Sequence, residues 1–369
     1  MKLNLKYLCR SVVLVLAMLP MAVLADGDHG HEAHENKHAS GPINTEEAIE
    51  AYKQHHLQDS HDFTFFTDGE TGTHYGFPLP VILIDGGVHF FMSSKFHHGE
   101  EVVESKGNFY KMDHGKIYKT DATGSMTYDE HGHATNAKPI DLSITKNVVG
   151  ILLASLIMIW LFVGLAKSYK RGPVPTGVGR VLEPLVLYVR NEIVVPNIGE
   201  KKSKKFLPYL LTVFFYIWIL NLLGMTPLAF NVTGNIAITV ALTMFTFFIL
   251  HFSANLDYWK HIFWMPGVPV VMKIILMPIE VLGVFTKPFS LLVRLFANIS
   301  AGHVIIMSLI ALIITMKASM TAGGAFGLSF ALSSFLMLIE LLVAFLQAFI
   351  FTMLSALFIG MAVQDHDHH

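Results

Sequence analysis

The chain has 369 residues, of which 53% are hydrophobic and only 15% charged, with a net charge of −2. That balance belongs to a membrane protein rather than to a wholly soluble one. A single cysteine, Cys9, excludes an intrachain disulfide and a thiolate metal site.

Nearly all the strongly apolar sequence lies beyond residue 145. Residues 1–25 read as a secretory signal: Lys2, Lys6 and Arg10 form a basic start, Val12 to Leu19 an apolar core, and Val23-Leu-Ala25 a small-residue cleavage site. The apolar run is too short for a membrane span, and Pro20 interrupts its end. Residues 26–143 form a soluble extension expected outside the inner membrane. It opens with a histidine-rich leader carrying His29, His31, His34 and His38. Two readings stay open for the leader, a metal scavenger and a solvated, unstructured tail. Asn44, with Glu47 three residues on, predicts a helix start of the capping-box type. Val81-Ile-Leu-Ile, Asp85-Gly-Gly, Val88-His-Phe-Phe predicts a β-hairpin, and Phe109-Tyr-Lys-Met, Asp113-His-Gly, Lys116-Ile-Tyr a second. No catalytic constellation is visible in the extension; interaction with, or protection of, the outer mouth of the membrane part is expected.

Asn147 to Ala166 gives twenty residues without a charge, the first span. The segment 167–205 then holds nine Lys or Arg against three Glu, which places it in the cytoplasm by the positive-inside rule. Within it Leu182, Val186, Val189 and Ile193 recur at helical spacing, opposite Glu183 and Arg190. This predicts an amphipathic helix on the inner membrane face, with Pro184 in its first turn. Phe206 to Met225 returns outward, 226–234 turns, and Asn235 to Phe252 comes back to a loop holding Asp257 and Lys260. Two apolar runs follow, Ile274 to Met316 and Leu328 to Val363. As helices they would be about 65 and 55 Å long, against about 30 Å of hydrocarbon. They must tilt, break or run along the interface, and Pro278 and Pro288 permit bends in the first.

The predicted fold is therefore an all-α polytopic membrane protein of about five membrane helices over 144–369. Its last two helices form a long, tilted hairpin, and one interfacial helix and a small β-rich periplasmic extension complete it. Five crossings from an outside start leave the C-terminus in the cytoplasm.

The last two runs contain Glu280, Lys287, Arg294, Asn298, His303, Glu340 and Gln347. Ionisable groups at membrane depth mark ion paths by default. Arg294 cannot shed its proton. Lys287 and Lys317 are its nearest charged neighbours along the run, so a snorkelling arginine fits poorly. At 100° per residue Arg294 and Asn298 share a face, Glu280 lies about 40° off that face and about 21 Å along the axis, and His303 points about 180° away. Glu340 and Gln347 are seven apart and share a face. Folding the runs at 318–327, with the bend at Gly323-Gly324, brings His303 level with Glu340, and Arg294 level with Gln347 to within about a turn. A titratable His–Glu pair and a purely structural hydrogen-bonded pair both fit the first match. Asn298 and Gln347 fit interhelical glue as well as path lining.

These residues resemble subunit a of F-type ATP synthases, over roughly 145–365. Arg294-Leu-Phe-Ala-Asn298 with Ala301-Gly302 is similar to that family's essential-arginine segment. Leu346-Gln347-Ala-Phe-Ile-Phe351 is similar to its final-helix signature, and Asn221-Leu-Leu-Gly-Met-Thr-Pro227 also fits. The resemblance implies a non-catalytic stator subunit in the bacterial inner membrane. Its partners would be a rotating c-ring, peripheral-stalk b subunits and the rest of the complex, with no cofactor, no metal and no nucleic acid. It implies two proton half-channels, an outer one lined by His303 and Glu340 and a cytoplasmic one near Glu280, separated by Arg294. No G-x-x-x-x-G-K loop occurs, so nucleotide chemistry would belong to partners. The extension departs from the family's short N-terminus. The rival readings are a self-contained secondary transporter or channel and a membrane-anchored binding protein built on the extension.

Overall fold

The computed structural model describes residues 59–67, 74–99, 101–113, 115–129, 134–226, 230, 232–265, 267–316 and 322–363. The signal segment, Cys9, the histidine-rich leader and the Asn44 cap fall outside the described residues.

The extension is β-rich. Strands β1 (Asp62–Thr67) and β2 (His74–Pro78) pair antiparallel. Strand β3 (Pro80–Ile84) lies between β4 (Val88–Met92) and β8 (Ile140–Asp141), and β6 (Asn108–Asp113) lies between β5 (Val103–Ser105) and β7 (Lys116–Thr120). Both expected hairpins are present. In the first, Ile84 faces Val88 across the Asp85-Gly-Gly loop, where Gly86 takes φ of 67°, a region that costs a side chain but not glycine. Strand alternation turns Val81, Leu83 and Phe91 inward onto Phe96, Tyr110 and Ile117, which make the extension's core.

The remainder is helical: α1 (Lys146–Arg171), α2 (Val178–Tyr188), α3 (Val195–Ile198), α4 (Glu200–Gly224), α5 (Ile236–Ser253), α6 (Leu256–Phe263), α7 (Val270–Met316) and α8 (Ala322–Val363). Among the described residues four helices are long and apolar enough to cross a membrane: α1, α4, α5 and the Phe330–Val363 part of α8. The chain is a multi-pass membrane protein. Beyond its charged start, Glu200 to Lys205, helix α4 is strongly apolar and occupies the centre, with Leu210, Leu211, Val213, Phe214 and Ile217 fully buried. Helix α1 leans on it through Ile151, Ala154, Met158, Phe162 and Leu165, spaced along one face.

Four local expectations need correction. Pro184 is seven residues into α2, not in its first turn. The stripe Leu182, Val186, Val189 and Ile193 is buried in the helical core rather than left for lipid, and the helix passes into a π-helical stretch, Val189–Val194. Burying the stripe on neighbouring helices removes the same apolar area from water that a membrane surface would. Gly323 and Gly324 sit in the first turn of α8, so the connection lies earlier, at 317–321, outside the described residues. Helix propensity there yields to continuation of a 42-residue apolar helix. The expected loop at Asp257 and Lys260 is α6.

The extension is fastened to the bundle by polar contacts that cap α1 from outside. Thr145 makes no side-chain cap of its own. Asp59 does so instead, accepting from the Asn147 backbone N–H at 3.0 Å and from the Thr145 hydroxyl at 2.9 Å, while the Lys146 N–H reaches the Ser60 carbonyl at 3.0 Å. A carboxylate there satisfies an orphan N–H and sits at the positive end of the helix dipole. Phe63 packs on Phe230 with ring centroids 5.4 Å apart, and Phe230 and Val232 in turn press on Gly150, where a Cβ would come within 2.8 Å of each.

Candidate functional site

The last two helices place the polar residues. Helix α7 runs unbroken for 47 residues through Pro278 and Pro288, about 70 Å at 1.5 Å per residue. Helix α8 buries Ala344, Gln347, Ala348, Phe351, Ser355 and Ile359 along one face. Packing is close enough at its far end that a Cβ on Gly360 would meet the Asn197 carbonyl oxygen at 2.0 Å. The carbonyl of Val363 near that end accepts from Lys202 Nζ and from Asn255 Nδ2, the latter at 3.0 Å.

Two contacts set the register between α7 and α8. Gly302 carries the Glu340 carboxylate directly against its backbone, so that a Cβ would lie 2.9 Å from Glu340 Oε1. Further along, Lys287 Nζ stands 5.5 Å from the ring centre of Phe358. Eight residues back from Gly302 is Arg294, and eight forward from Glu340 is Ala348. Seven residues forward from Lys287 is again Arg294, and seven back from Phe358 is Phe351. Arg294 therefore lies opposite the buried stretch 348–351, within about a turn of the buried Gln347.

Arg294 and Glu340 are both partly exposed. Among the described residues no hydrogen bond or ion pair reaches the Arg294 guanidinium, and Glu340 Oε2 is buried without a partner. Asn298 and His303 belong to helix α7, but their side chains lie outside the described residues. The structure thus brings Glu340 beside the residue preceding position 303 and keeps Arg294 about 12 Å further along the axis. It does not bring Glu280 to either. Glu280 lies at the opposite end of α7, near Tyr258 of α6, whose phenol is pushed up by burial and then by the Glu280 charge. Among the described residues no group of His, Cys, Asp or Glu could hold a metal ion.

Three residues were not singled out by helical phase. Asn221, quoted above only as part of a motif, is buried; it donates to the Ala344 carbonyl at 3.4 Å and accepts from the Thr233 hydroxyl at 3.1 Å, one turn of α8 from Glu340. A polar residue in the last turn of the apolar stretch that follows Lys205 is the signal that marks it. Gly302 supplies the notch for Glu340, which no side-chain pattern reveals. His251 ends α5 with Nδ1–H donating to the Phe247 carbonyl at 2.8 Å and Nε2 buried without a partner, 5.5 Å ring to ring from Trp259.

Among the described residues both long helices keep an exposed apolar face. Phe285, Phe289 and Val293 on α7, and Phe335, Leu338 and Leu342 on α8, are exposed apolar side chains flanking the unpaired charges.

The family described as ATP synthase A chain matches residues 148–360, and a domain of unknown function (DUF8433) matches 52–142. ATP synthase subunit a 2 of Chlorobaculum tepidum is 46% identical over 237 residues, 62% of this chain and 66% of the relative. ATP synthase subunit a of Chlorobium phaeobacteroides is 47% identical over 236 residues, 62% of this chain and 68% of the relative. ATP synthase subunit a 2 of Prosthecochloris aestuarii is 39% identical over 283 residues, 73% of this chain and 86% of the relative. For the first two the chain spans about two thirds of the relative's length.

Proposed function

Because the chain belongs to the ATP synthase A chain family, we propose that it is the proton-translocating stator subunit of a bacterial rotary ATP synthase. It sits in the inner membrane with the extension in the periplasm and the C-terminus in the cytoplasm, consistent with the basic segment 167–205 lying between α1 and α4. Helix α7 supplies the fifth crossing. Its partners are a ring of hairpin subunits, each with one membrane carboxylate, and peripheral-stalk subunits. It performs no chemistry on nucleotide itself.

The observation that carries this reading is Arg294: a permanent cation on the tilted helix with no counter-ion among the described residues of its own chain, set among exposed apolar side chains. A lone guanidinium on an apolar surface suits a carboxylate arriving from another molecule. Protons enter from the periplasm by an inlet half-channel at His303 and Glu340. There Glu340 Oε2, buried and without a partner among the described residues, takes and releases a proton. The proton neutralises a ring carboxylate, which can then face lipid and travel around. It leaves through a cytoplasmic half-channel at Glu280. Gln347 lies within about a turn of Arg294, and Asn298 follows it one turn along α7; the Arg294 charge favours the ionised ring carboxylate and blocks direct passage between the two half-channels. Each proton crossing 100 mV supplies about 2.3 kcal/mol to rotation.

Purification in mild detergent tests the reading. A stator brings with it a small hairpin subunit in many copies per chain. A self-contained transporter purifies without one, and that result would remove the reading.

A further inference from the structure

The sheet β4-β3-β8 is apolar on both faces. Its inner face carries Val81, Leu83 and Phe91 onto the core of the extension. An antiparallel sheet with one solvated side keeps that side polar. Here the register sets Ile82 opposite Phe90, Ile84 opposite both Val88 and Ile140, and Pro80 opposite Met92, all on the outer face. Phe90 is 66% exposed, Val88 57% and Ile140 51%, and Ile84 and Met92 are exposed as well. A continuous apolar patch of this kind on a domain outside the hydrocarbon marks a surface that something covers.

Position and charge say what covers it. The Leu142 N–H donates to the Ile82 carbonyl at 2.9 Å and the Ile144 N–H to the Pro80 carbonyl at 3.1 Å, so the chain runs along β3 directly into the Thr145 cap of α1. One end of the patch is therefore level with the start of a membrane span, and Ile140 lies within about 20 Å of Lys146 along the chain. Ile140 also lines a cavity of about 240 Å³ at the junction of extension and bundle, together with Val148 and Ile151 of α1 and Ile238 of α5. The patch thus runs on into the starts of two spans. Its rim is basic. Lys106 Nζ donates to the Val88 carbonyl at 2.7 Å, Lys138 is two residues from Ile140, Lys95 is three from Met92, and all three lysines are exposed. The acids beside the patch are engaged, Asp85 by Lys119 and Asp141 by His61. We propose that this face is seated on the outer leaflet of the bilayer, with Val88 and Phe90 below the headgroups and Lys95, Lys106 and Lys138 on the phosphates of anionic lipids. Apolar side chains ringed by lysines, whose stems can lie along lipid while their ammonium groups stay wet, suit that boundary. The inference goes beyond the stator reading and does not depend on the proton path. It gives the extension a second hold besides the Asp59 cap on α1, which keeps it from swinging about residues 142–145.

Spin labels on the full-length chain test the seat. With Cys9→Ser removing the native thiol, a nitroxide is placed at Phe90→Cys and the chain is put into nanodiscs of phosphatidylcholine and phosphatidylglycerol. Collisions with dissolved oxygen, which concentrates in lipid, are compared with collisions with a water-soluble nickel chelate. Ala122→Cys, exposed in the loop after β7, gives the reference for water. Relative to that reference, oxygen collisions at Phe90 should exceed nickel collisions several-fold, and a label at Val88→Cys should behave alike. Nickel collisions as frequent at Phe90 as at Ala122 overturn the proposal, because the face then lies in water. Few collisions with either reagent overturn it too, because the face is then covered by protein, whether a second copy or another segment of this chain. Lys95→Gln, Lys106→Gln and Lys138→Gln combined should raise nickel collisions at Phe90 several-fold as the seat loosens; an unmoved label overturns the part given to the lysines.

Discussion

The extension and the paired long helices α7 and α8 treat charge in opposite ways. In the extension, Asp85 takes Lys119 at 2.7 Å and also accepts from Tyr110 and Asn108, so the buried end of its network closes on itself. In the hairpin, Arg294 has no ion pair among the described residues and Glu340 keeps a buried oxygen unpartnered. The packing of apolar side chains differs as well. The extension folds Phe91, Phe96 and Tyr110 inward, whereas α7 and α8 hold Phe289, Val293, Phe335 and Leu342 outward. Paired charge over an inward core is what holding a shape requires. Unpaired charge on an outward apolar face is costly in isolation and makes sense where a partner and a moving proton complete it.

Substitutions sharpen this contrast. After the loss of Arg294, the largest effect is expected from Glu340→Gln, which keeps size and polarity but cannot ionise. Proton pumping by the assembled complex should fall by on the order of a hundredfold, as for loss of a proton-transfer group; a paired, structural Glu340 would leave pumping intact. Gly360→Ala strikes packing instead. The new methyl meets backbone, the Asn197 carbonyl at 2.0 Å, and cannot be accommodated by a side-chain swing. A loss of about 1–3 kcal/mol is expected, read as a lowered thermal midpoint in detergent. Gly302→Ala meets the movable end of Glu340 at 2.9 Å, so the fold should survive and pumping should fall several-fold. A wild-type pumping rate would mean that the notch does not position the carboxylate.

The smallest effect is expected in the extension. The hydrogen bond from Lys119, followed by its charge, holds the Asp85 carboxyl below the ordinary carboxylate range. A lowered folded-state pKa contributes stability that is present above the unfolded value, about 3.9, and is lost as pH falls through the folded one. Hydrogen exchange at β6 and β7 should therefore speed up on acidification, and Asp85→Asn should flatten that response without affecting proton transport. For His61 the sign is opposite. Its contribution is complete below about 6.5 and fades as pH rises through its raised folded value.

Local chemistry was readable in the sequence, and distant closure was not. Asp85-Gly-Gly and Asp113-His-Gly gave their hairpins because a turn depends on a few adjacent residues. Residue spacing was enough to bring the stretch around His303 level with Glu340, since two uniform helices folded back on each other have a fixed rise. The place of the bend was misread: Gly323-Gly324 looked like a breaker, yet the apolar helix runs through both. Asp59 as the cap of α1 could not be foreseen, because the donor N–H is 88 residues away. The same holds for the cavity at the junction of extension and bundle, whose walls come from β8, α1 and the start of α5. Amphipathic spacing in α2 identified a buried face correctly but could not say whether lipid or protein would cover it.

The central claim is that Arg294 separates two proton paths and meets a carboxylate from outside the chain. Inverted membrane vesicles carrying Arg294→Ala, measured with and without the catalytic sector, test it most directly. The account predicts no ATP-driven proton pumping, together with passive proton leak once the catalytic sector is removed, because the barrier between the half-channels is gone. ATP hydrolysis that still builds a proton gradient in this variant would contradict it.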